Sequence, residues 1–318
     1  MSSPRTLLAA FGAGRLVKNR PLAPLTTFRI GGPADLFFDA VSTDDLVLAL
    51  RAAAADGFRC TLLGGGSNLL ISDHGIRGLV IRVRSSRITL LEGGLVQADA
   101  GVTINGLVRW TIREALTGLE AWAGTPGTVG GALSGNAHWA GRTISEFVHE
   151  VAVVGPAGDV SVWPASGMAF GYDTSRLQRS DECAIWATFR LTPAGDPEAL
   201  RATARASLHY RKRTQPLRMP SAGCIFQNPV PGRDRLPDGM PWSAGALIDR
   251  AGLKGRAIGG ARVSPIHANF IVNEGGATAQ DVRQLIRLCH DEVRRQFAVE
   301  LREEIVSLGS CEPASTGP

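Results

Sequence analysis

Two glycine runs are the stretches of this 318-residue chain best suited to holding a ligand. The longer, at 124–137, reads GTPGTVGGALSGNA: five glycines, one proline, three hydroxyl side chains and an asparagine in fourteen positions. That composition predicts neither a stable helix nor a strand, because there is little side chain to bury and much backbone freedom to lose. Bare backbone suits close approach to an anionic group, since successive unhindered N–H groups form a concave phosphate site. A second run, Gly64-Gly65-Gly66-Ser67-Asn68, follows Thr61-Leu62-Leu63. Each run alone could be an ordinary turn. Together they read as two sides of one pyrophosphate cradle.

The elements that must position these runs follow from periodicity and caps. Leu36-Phe37-Phe38 is extended, and Ser42 caps an amphipathic helix that stops at Gly57. Strands at 60–63 and 78–83 complete a small alternating unit. It lacks G-x-G-x-x-G opening a helix after its first strand, which argues against a Rossmann site. From Ile88 the texture changes to hairpins, 88–91 with 95–98 and 150–154 with 160–163, a helix from Ile104 capped by Thr103, and a strand over 183–191. Thr192-Pro193-Ala194-Gly195-Asp196-Pro197 reads as a linker. Beyond it come a basic helix over 198–210, the loop PSAGCIFQNP at 220–229, a helix near 244–251 and a strand over 267–273. A helix over 279–297 capped by Thr278 and a final strand around 299–308 follow. The fold class is α+β, with units at 1–86, 87–195 and 196–309 and a tail at 310–318 expected to be disordered.

Composition narrows the partners. Hydrophobic residues make up 44% of the chain, enough for a sizeable core, and the net charge of +5 permits an anionic ligand. Arginines are spread along the chain rather than gathered in long blocks, which argues against a nucleic-acid arm. The five cysteines, 60, 183, 224, 289 and 311, form no CxxC pair, and the histidines lack metal-ligand spacing, so neither a disulfide framework nor a metal is expected. With no secretory signal and no run near the about 20 apolar residues of a membrane span, a cytoplasmic location is the expectation. Nothing in the sequence sets an oligomeric state.

Six ordered motifs, TTFRIGG, LLGGGSNLLISD, GTPGTVGGALSGNA, PSAGCIFQNP, IHANFIVN and LREEI, resemble those of the UDP-N-acetylenolpyruvoylglucosamine reductase (MurB) family. The resemblance runs from about residue 20 to 309 and looks like the compact type II form, without an extra substrate-capping loop. It implies a two-part FAD-binding region of the vanillyl-alcohol-oxidase/PCMH type followed by a smaller α+β substrate domain. It also implies reduction of an enolpyruvyl UDP-sugar to UDP-N-acetylmuramate for peptidoglycan, with non-covalent FAD and with NADPH as hydride donor. FAD would be met by Arg29, Gly64, Gly65, Gly66, Ser67, Asn68, Gly124, Thr125, Gly127, Thr128, Gly130, Gly131 and Asn136.

On the same resemblance Cys224 stands where the family's proton donor, often serine, is found, and Glu304 matches its C-terminal glutamate. A thiol is a stronger acid than a hydroxyl, so that exchange is chemically sensible. Arg211, Gln215 and Asn228 lie where the family meets substrate, and His267 is read as a structural residue more readily than as a ligand contact. One departure stands out. Where the family carries arginine in Tyr-Arg-x-Ser, this chain has Tyr172-Asp173-Thr174-Ser175-Arg176, and Arg176 is expected to substitute if the segment is helical, since i and i+3 share a face. Gln227 likewise replaces a residue often basic in the family. Two other readings share the scaffold: an oxidase passing electrons to oxygen, and a flavin-binding protein with weakened catalysis.

Overall fold

The computed structural model describes residues 3–194 and 196–309, so the tail at 310–318, Cys311 and linker residue Gly195 lie outside the described residues. The chain forms two compact units. The first takes in Asp35–Gly65, Arg77–Tyr210 and the N-terminal residues to Arg20; the second takes in Pro21–Ala34, Gly66–Ile76 and the described residues from Arg211. The limits expected at 86/87 and 195/196 fall inside the first unit.

The first unit carries two larger sheets beside two short two-stranded pairs. One has strand order Val17–Pro21, Pro33–Ala40, Ile76–Val83, Cys60–Leu63, with the last two parallel. The other is a five-stranded antiparallel sheet in the order Val160–Pro164, Val148–Val154, Cys183–Arg190, Leu95–Asp99, Ile88–Leu90, which contains both expected hairpins. Helix Thr43–Ala55 begins where expected: the Ser42 hydroxyl accepts the Asp45 N–H at 3.1 Å. It buries Leu46, Ala49, Leu50, Ala52 and Ala53 in the core that also holds Phe38, Ile81, Val151 and Phe189. Helix Arg5–Phe11 and strand Val17–Pro21 escape the sequence reading, since the strand is exposed throughout and shows no alternation.

The second unit is built on an antiparallel sheet ordered Ser221–Cys224, Phe270–Asn273, Ala261–Val263, Ala257–Ile258. Helix Ala279–Phe297 starts at a capping box made by Thr278 and Asp281 and buries Val282, Leu285, Ile286, Cys289 and Val293. Asp73 adds to that cap, its carboxylate accepting the N–H groups of Ala279 at 2.8 Å and Gln280 at 3.2 Å. Two expected strands are shorter than their sequence patterns. The strand expected from His267 begins at Phe270, because the chain turns just before it and spends the Asn269 side chain on the backbone of Phe226. The closing strand is only Val306–Leu308, pairing in parallel with Leu69–Ile71.

Candidate active site

The two glycine runs meet inside the first unit. A Cβ placed on Gly65 would lie 2.7 Å from the Gly127 Cα, and one on Gly64 would lie 2.7 Å from the Thr128 Oγ1. Backbone therefore faces backbone at a separation that no side chain permits. Helix Ile104–Arg113 sets the start of the longer run. Its Asn105 side chain accepts the Gly124 N–H at 2.6 Å and donates to the Thr125 carbonyl at 3.1 Å. Farther along, the Gly130 N–H reaches the Ala100 carbonyl at 2.8 Å, where a Cβ would meet the Ala100 Cβ at 3.1 Å.

The longer run corrects one expectation: it is helical over Val129–Ser134. Thr128 caps that turn, with its Oγ1 accepting the Gly131 N–H at 3.4 Å. Val129, Ala132 and Leu133 are buried. Three apolar residues on one face outweigh the glycine penalty, which is about 1 kcal/mol each.

In the second unit Gly66 continues the shorter run at φ +63°, so tightly placed that a Cβ would press on the Leu25 carbonyl. Its own carbonyl accepts the Thr27 N–H at 3.0 Å and the Thr27 hydroxyl at 3.3 Å. Arg29, exposed and at φ +57°, stands two residues on in the same segment. The buried Asn273 side chain donates to the Phe28 carbonyl at 3.1 Å and accepts from Gly275 and Ala277, so strand Phe270–Asn273 anchors the segment that carries Arg29.

Cys224 and Glu304 come together in this unit. Ser221 pairs with Val272 and Cys224 with Phe270, so one extra residue lies between the two pairs: a β-bulge with Gly223 at φ +81°. A bulge re-aims the side chain that follows it, here the half-buried Cys224. The next carbonyl, that of Ile225, accepts the Glu304 N–H at 2.8 Å, and the Glu304 carbonyl accepts the Asn68 side-chain amide at 3.0 Å. Phe226 forms a bridge with Glu303, and Gln227 donates to the Arg302 carbonyl at 2.8 Å. Glu303 is spent on Arg283 at 2.6 Å. Buried Asn269 holds this edge from the other side, accepting the Phe226 N–H at 2.9 Å and donating to its carbonyl at 2.7 Å.

Burial pushes the Cys60 thiol up to about 11 and the Cys183 and Cys289 thiols up to about 12, which keeps them protonated and inert. Arg211 is buried in the last turn of helix Pro197–Thr214, and desolvation lowers it to about 10. The Gln215 N–H donates to the Arg211 carbonyl at 2.9 Å. The Asn228 Oδ1 accepts the Ala244 N–H at 3.0 Å, at the start of helix Ala244–Arg250. His267 is lowered by burial, and its Nδ1 accepts the Asn269 N–H at 3.3 Å, a structural bond.

The route foreseen for Arg176 is not available. Gly171 and Thr174 form a bridge, Asp173 is left-handed at φ +52°, and only a 3-10 turn over Arg176–Gln178 follows, so positions 173 and 176 share no helical face. Arg176 instead donates to both Glu182 oxygens, at 2.6 and 3.0 Å, and lies 4.1 Å over the Trp163 ring. Glu182 in turn is lowered chiefly by this bond.

Sequence reasoning missed Asn105, Asn269 and Asn273 as positioning residues. Their signal is an amide inside an otherwise apolar element start or strand, where only a specific bond justifies it. Among the described residues, no group of three or more His, Cys, Asp or Glu could hold a metal ion, and no helix is long and apolar enough to cross a membrane.

The FAD binding domain family matches residues 34–162, and the C-terminal domain of UDP-N-acetylenolpyruvoylglucosamine reductase (MurB_C) matches residues 215–308. The chain is 41% identical over 299 residues to the UDP-N-acetylenolpyruvoylglucosamine reductase of Synechococcus sp. (strain JA-3-3Ab), covering 94% of this chain and 93% of that one. It is 37% identical over 303 residues to that of Halalkalibacterium halodurans, with coverage of 95% and 97%. The crystal structure of the reductase (MurB) from Thermus caldophilus superposes with a TM-score of 0.75 at 32% identity, over 92% of this chain and 98% of that one. These matches bear out the expected α+β fold with an FAD-binding region and a separate further domain.

Proposed function

The chain belongs to the UDP-N-acetylenolpyruvoylglucosamine reductase family, and from that premise we propose how its own residues divide the reaction. It is an FAD-dependent oxidoreductase that reduces the enolpyruvyl ether of its UDP-sugar to the lactyl ether of UDP-N-acetylmuramate, with NADPH as co-substrate. FAD supplies the capacity to take up and hand on hydride, which no protein side chain has.

The residues present fit FAD. Gly64 and Gly65 lie against Gly127 and Thr128 with no room for a Cβ, as a backbone cradle for a diphosphate requires. Gly124, Thr125, Gly130, Gly131 and Asn136 continue this cradle, with Gly66, Ser67, Asn68 and Arg29 as further contacts. Arg211, Gln215 and Asn228 are assigned to the UDP-sugar. The buried Arg211 guanidinium, with its planar fork of N–H donors, is suited to the oxygens of a diphosphate.

Reducing the carbon–carbon double bond takes one hydride and one proton. Hydride addition leaves negative charge on the neighbouring carbon and its carboxylate, and Cys224 donates the proton to that carbon. Glu304 orients the thiol or relays its proton. The observation that carries this assignment is the Glu304 N–H donating to the Ile225 carbonyl at 2.8 Å, next to a bulge that aims Cys224. Arg176 is assigned to holding its own turn against Glu182 and Trp163. The charged nucleotide substrates, which do not cross a membrane unaided, support a cytoplasmic site of action.

Anaerobic single-turnover spectroscopy tests the reading. NADPH should bleach the bound flavin, and the enolpyruvyl substrate should restore its colour. Recovery with oxygen alone, and not with substrate, would make the protein an oxidase. Absence of bleaching would make it a flavin-binding protein without this activity.

A further inference from the structure

The second unit leaves one group of cations without carboxylates. From Ala199 to Arg233 the chain has no Asp or Glu, while Arg211, Lys212, Arg213 and Arg218 follow one another closely. Lys212, Arg213 and Arg218 are exposed, and among the described residues none of the three makes a side-chain hydrogen bond or ion pair. Elsewhere on this unit exposed cations such as Lys254, Arg294 and Arg295 sit beside Asp249, Asp291 and Glu292. Lys212 and Arg213 lie in the last turn of helix Pro197–Thr214, where positive charge also complements the carbonyl end of the helix. Arg218 lies past that end, so the helix does not account for it. The chain that follows the helix folds tightly: the Leu217 N–H donates to the Gln215 carbonyl at 2.9 Å, and the Met219 N–H to the Pro216 carbonyl at 3.0 Å. The Asn273 N–H then donates to the Pro220 carbonyl at 2.9 Å, and strand Ser221–Cys224 begins. The three cations therefore occupy the short stretch between Arg211 and the strand that carries Cys224.

We propose that Lys212, Arg213 and Arg218 form an electrostatic approach surface that speeds the arrival of the anionic UDP-sugar without holding it once bound. This rests on the reading that Arg211, Gln215 and Asn228 take that substrate. The enolpyruvyl UDP-sugar carries a diphosphate and a carboxylate, so a surface of one sign attracts it from a distance. Such surfaces raise association rates by about 10-fold to 10³-fold at low salt, because the local concentration of the oppositely charged ligand rises. Exposed cations add little to the bound state, where water and salt screen them. Buried Arg211 and the three exposed residues thus divide the work: one holds the anion, and the others draw it in.

The test is stopped-flow binding of UDP-N-acetylenolpyruvoylglucosamine to the oxidised holoenzyme, without NADPH, at about 10 mM and about 1 M salt, where charges are screened over about 30 Å and about 3 Å. The triple variant Lys212→Gln, Arg213→Gln, Arg218→Gln should associate about ten-fold more slowly than the parent at low salt and dissociate within about two-fold of its rate. At high salt the two proteins should associate equally fast. Arg218, outside the helix, gives a version free of any effect on helix stability: Arg218→Glu should slow association at low salt more than Arg218→Gln does. Unchanged association at low salt, or a deficit that persists at high salt, would overturn the proposal. So would faster dissociation, which would make the three residues direct contacts. Arg211→Ala should act chiefly by speeding dissociation. Its failure to do so would overturn the assignment of Arg211 to the UDP-sugar rather than the approach surface.

Discussion

The glycine runs of the first unit and the Cys224 edge of the second solve opposite problems. Around Gly64, Gly65, Gly127 and Thr128, backbone is brought against backbone and the absence of side chains is the working feature. At the Cys224 edge the chain is held by amide side chains, Asn68 on Glu304 and Asn269 on Phe226, and a bulge precedes Cys224. Under the proposed division of roles, the main-chain cradle fails when an atom is added, and the proton-delivering edge fails when an atom or a bond is taken away.

The contrast is sharpest at Gly65. Gly65→Ala places a methyl group 2.7 Å from the Gly127 Cα, where no flexible side chain can yield. Flavin retained through gel filtration should drop to a small fraction of the parent's, a loss in affinity on the order of a hundred-fold. If Gly65→Ala stays as yellow as the parent, the two runs do not form the cradle.

Removal is the corresponding test at the other edge. Asn269→Ala leaves the buried Phe226 N–H and carbonyl unsatisfied and should cost on the order of 3 kcal/mol in denaturant unfolding. A change under about 1 kcal/mol would mean that the edge is held by something else.

Arg176→Ala should do least. An arginine that stabilised the developing charge would cost about a hundred-fold or more in turnover on removal. One occupied by Glu182 at a partly exposed site should leave turnover within about two-fold. A large loss in steady-state rate would return Arg176 to the mechanism.

Much of this was legible in the residues. The helix caps at Ser42, Thr103, Thr128 and Thr278 are hydroxyls whose role is local, although only three of the four were expected, Thr128 being hidden in a run that looked too glycine-rich to turn helical. Hairpins with alternating strands were equally readable. What the sequence could not display is pairing between distant positions. Asn68 bonds Glu304 across 236 residues, and Asn273 bonds Phe28 across 245. The fate of Arg176 was hidden for a similar reason, because the left-handed Asp173 breaks the helical geometry on which an i, i+3 argument depends.

The claim that Cys224 delivers the proton is tested most directly by mixing NADPH-reduced Cys224→Ala with the enolpyruvyl substrate in the absence of oxygen and following the flavin absorbance. NADPH should bleach the variant as fast as it bleaches the parent, while colour should return about a hundred-fold more slowly or worse, with Cys224→Ser in between. Return of colour at the parent's rate in Cys224→Ala would contradict the assignment.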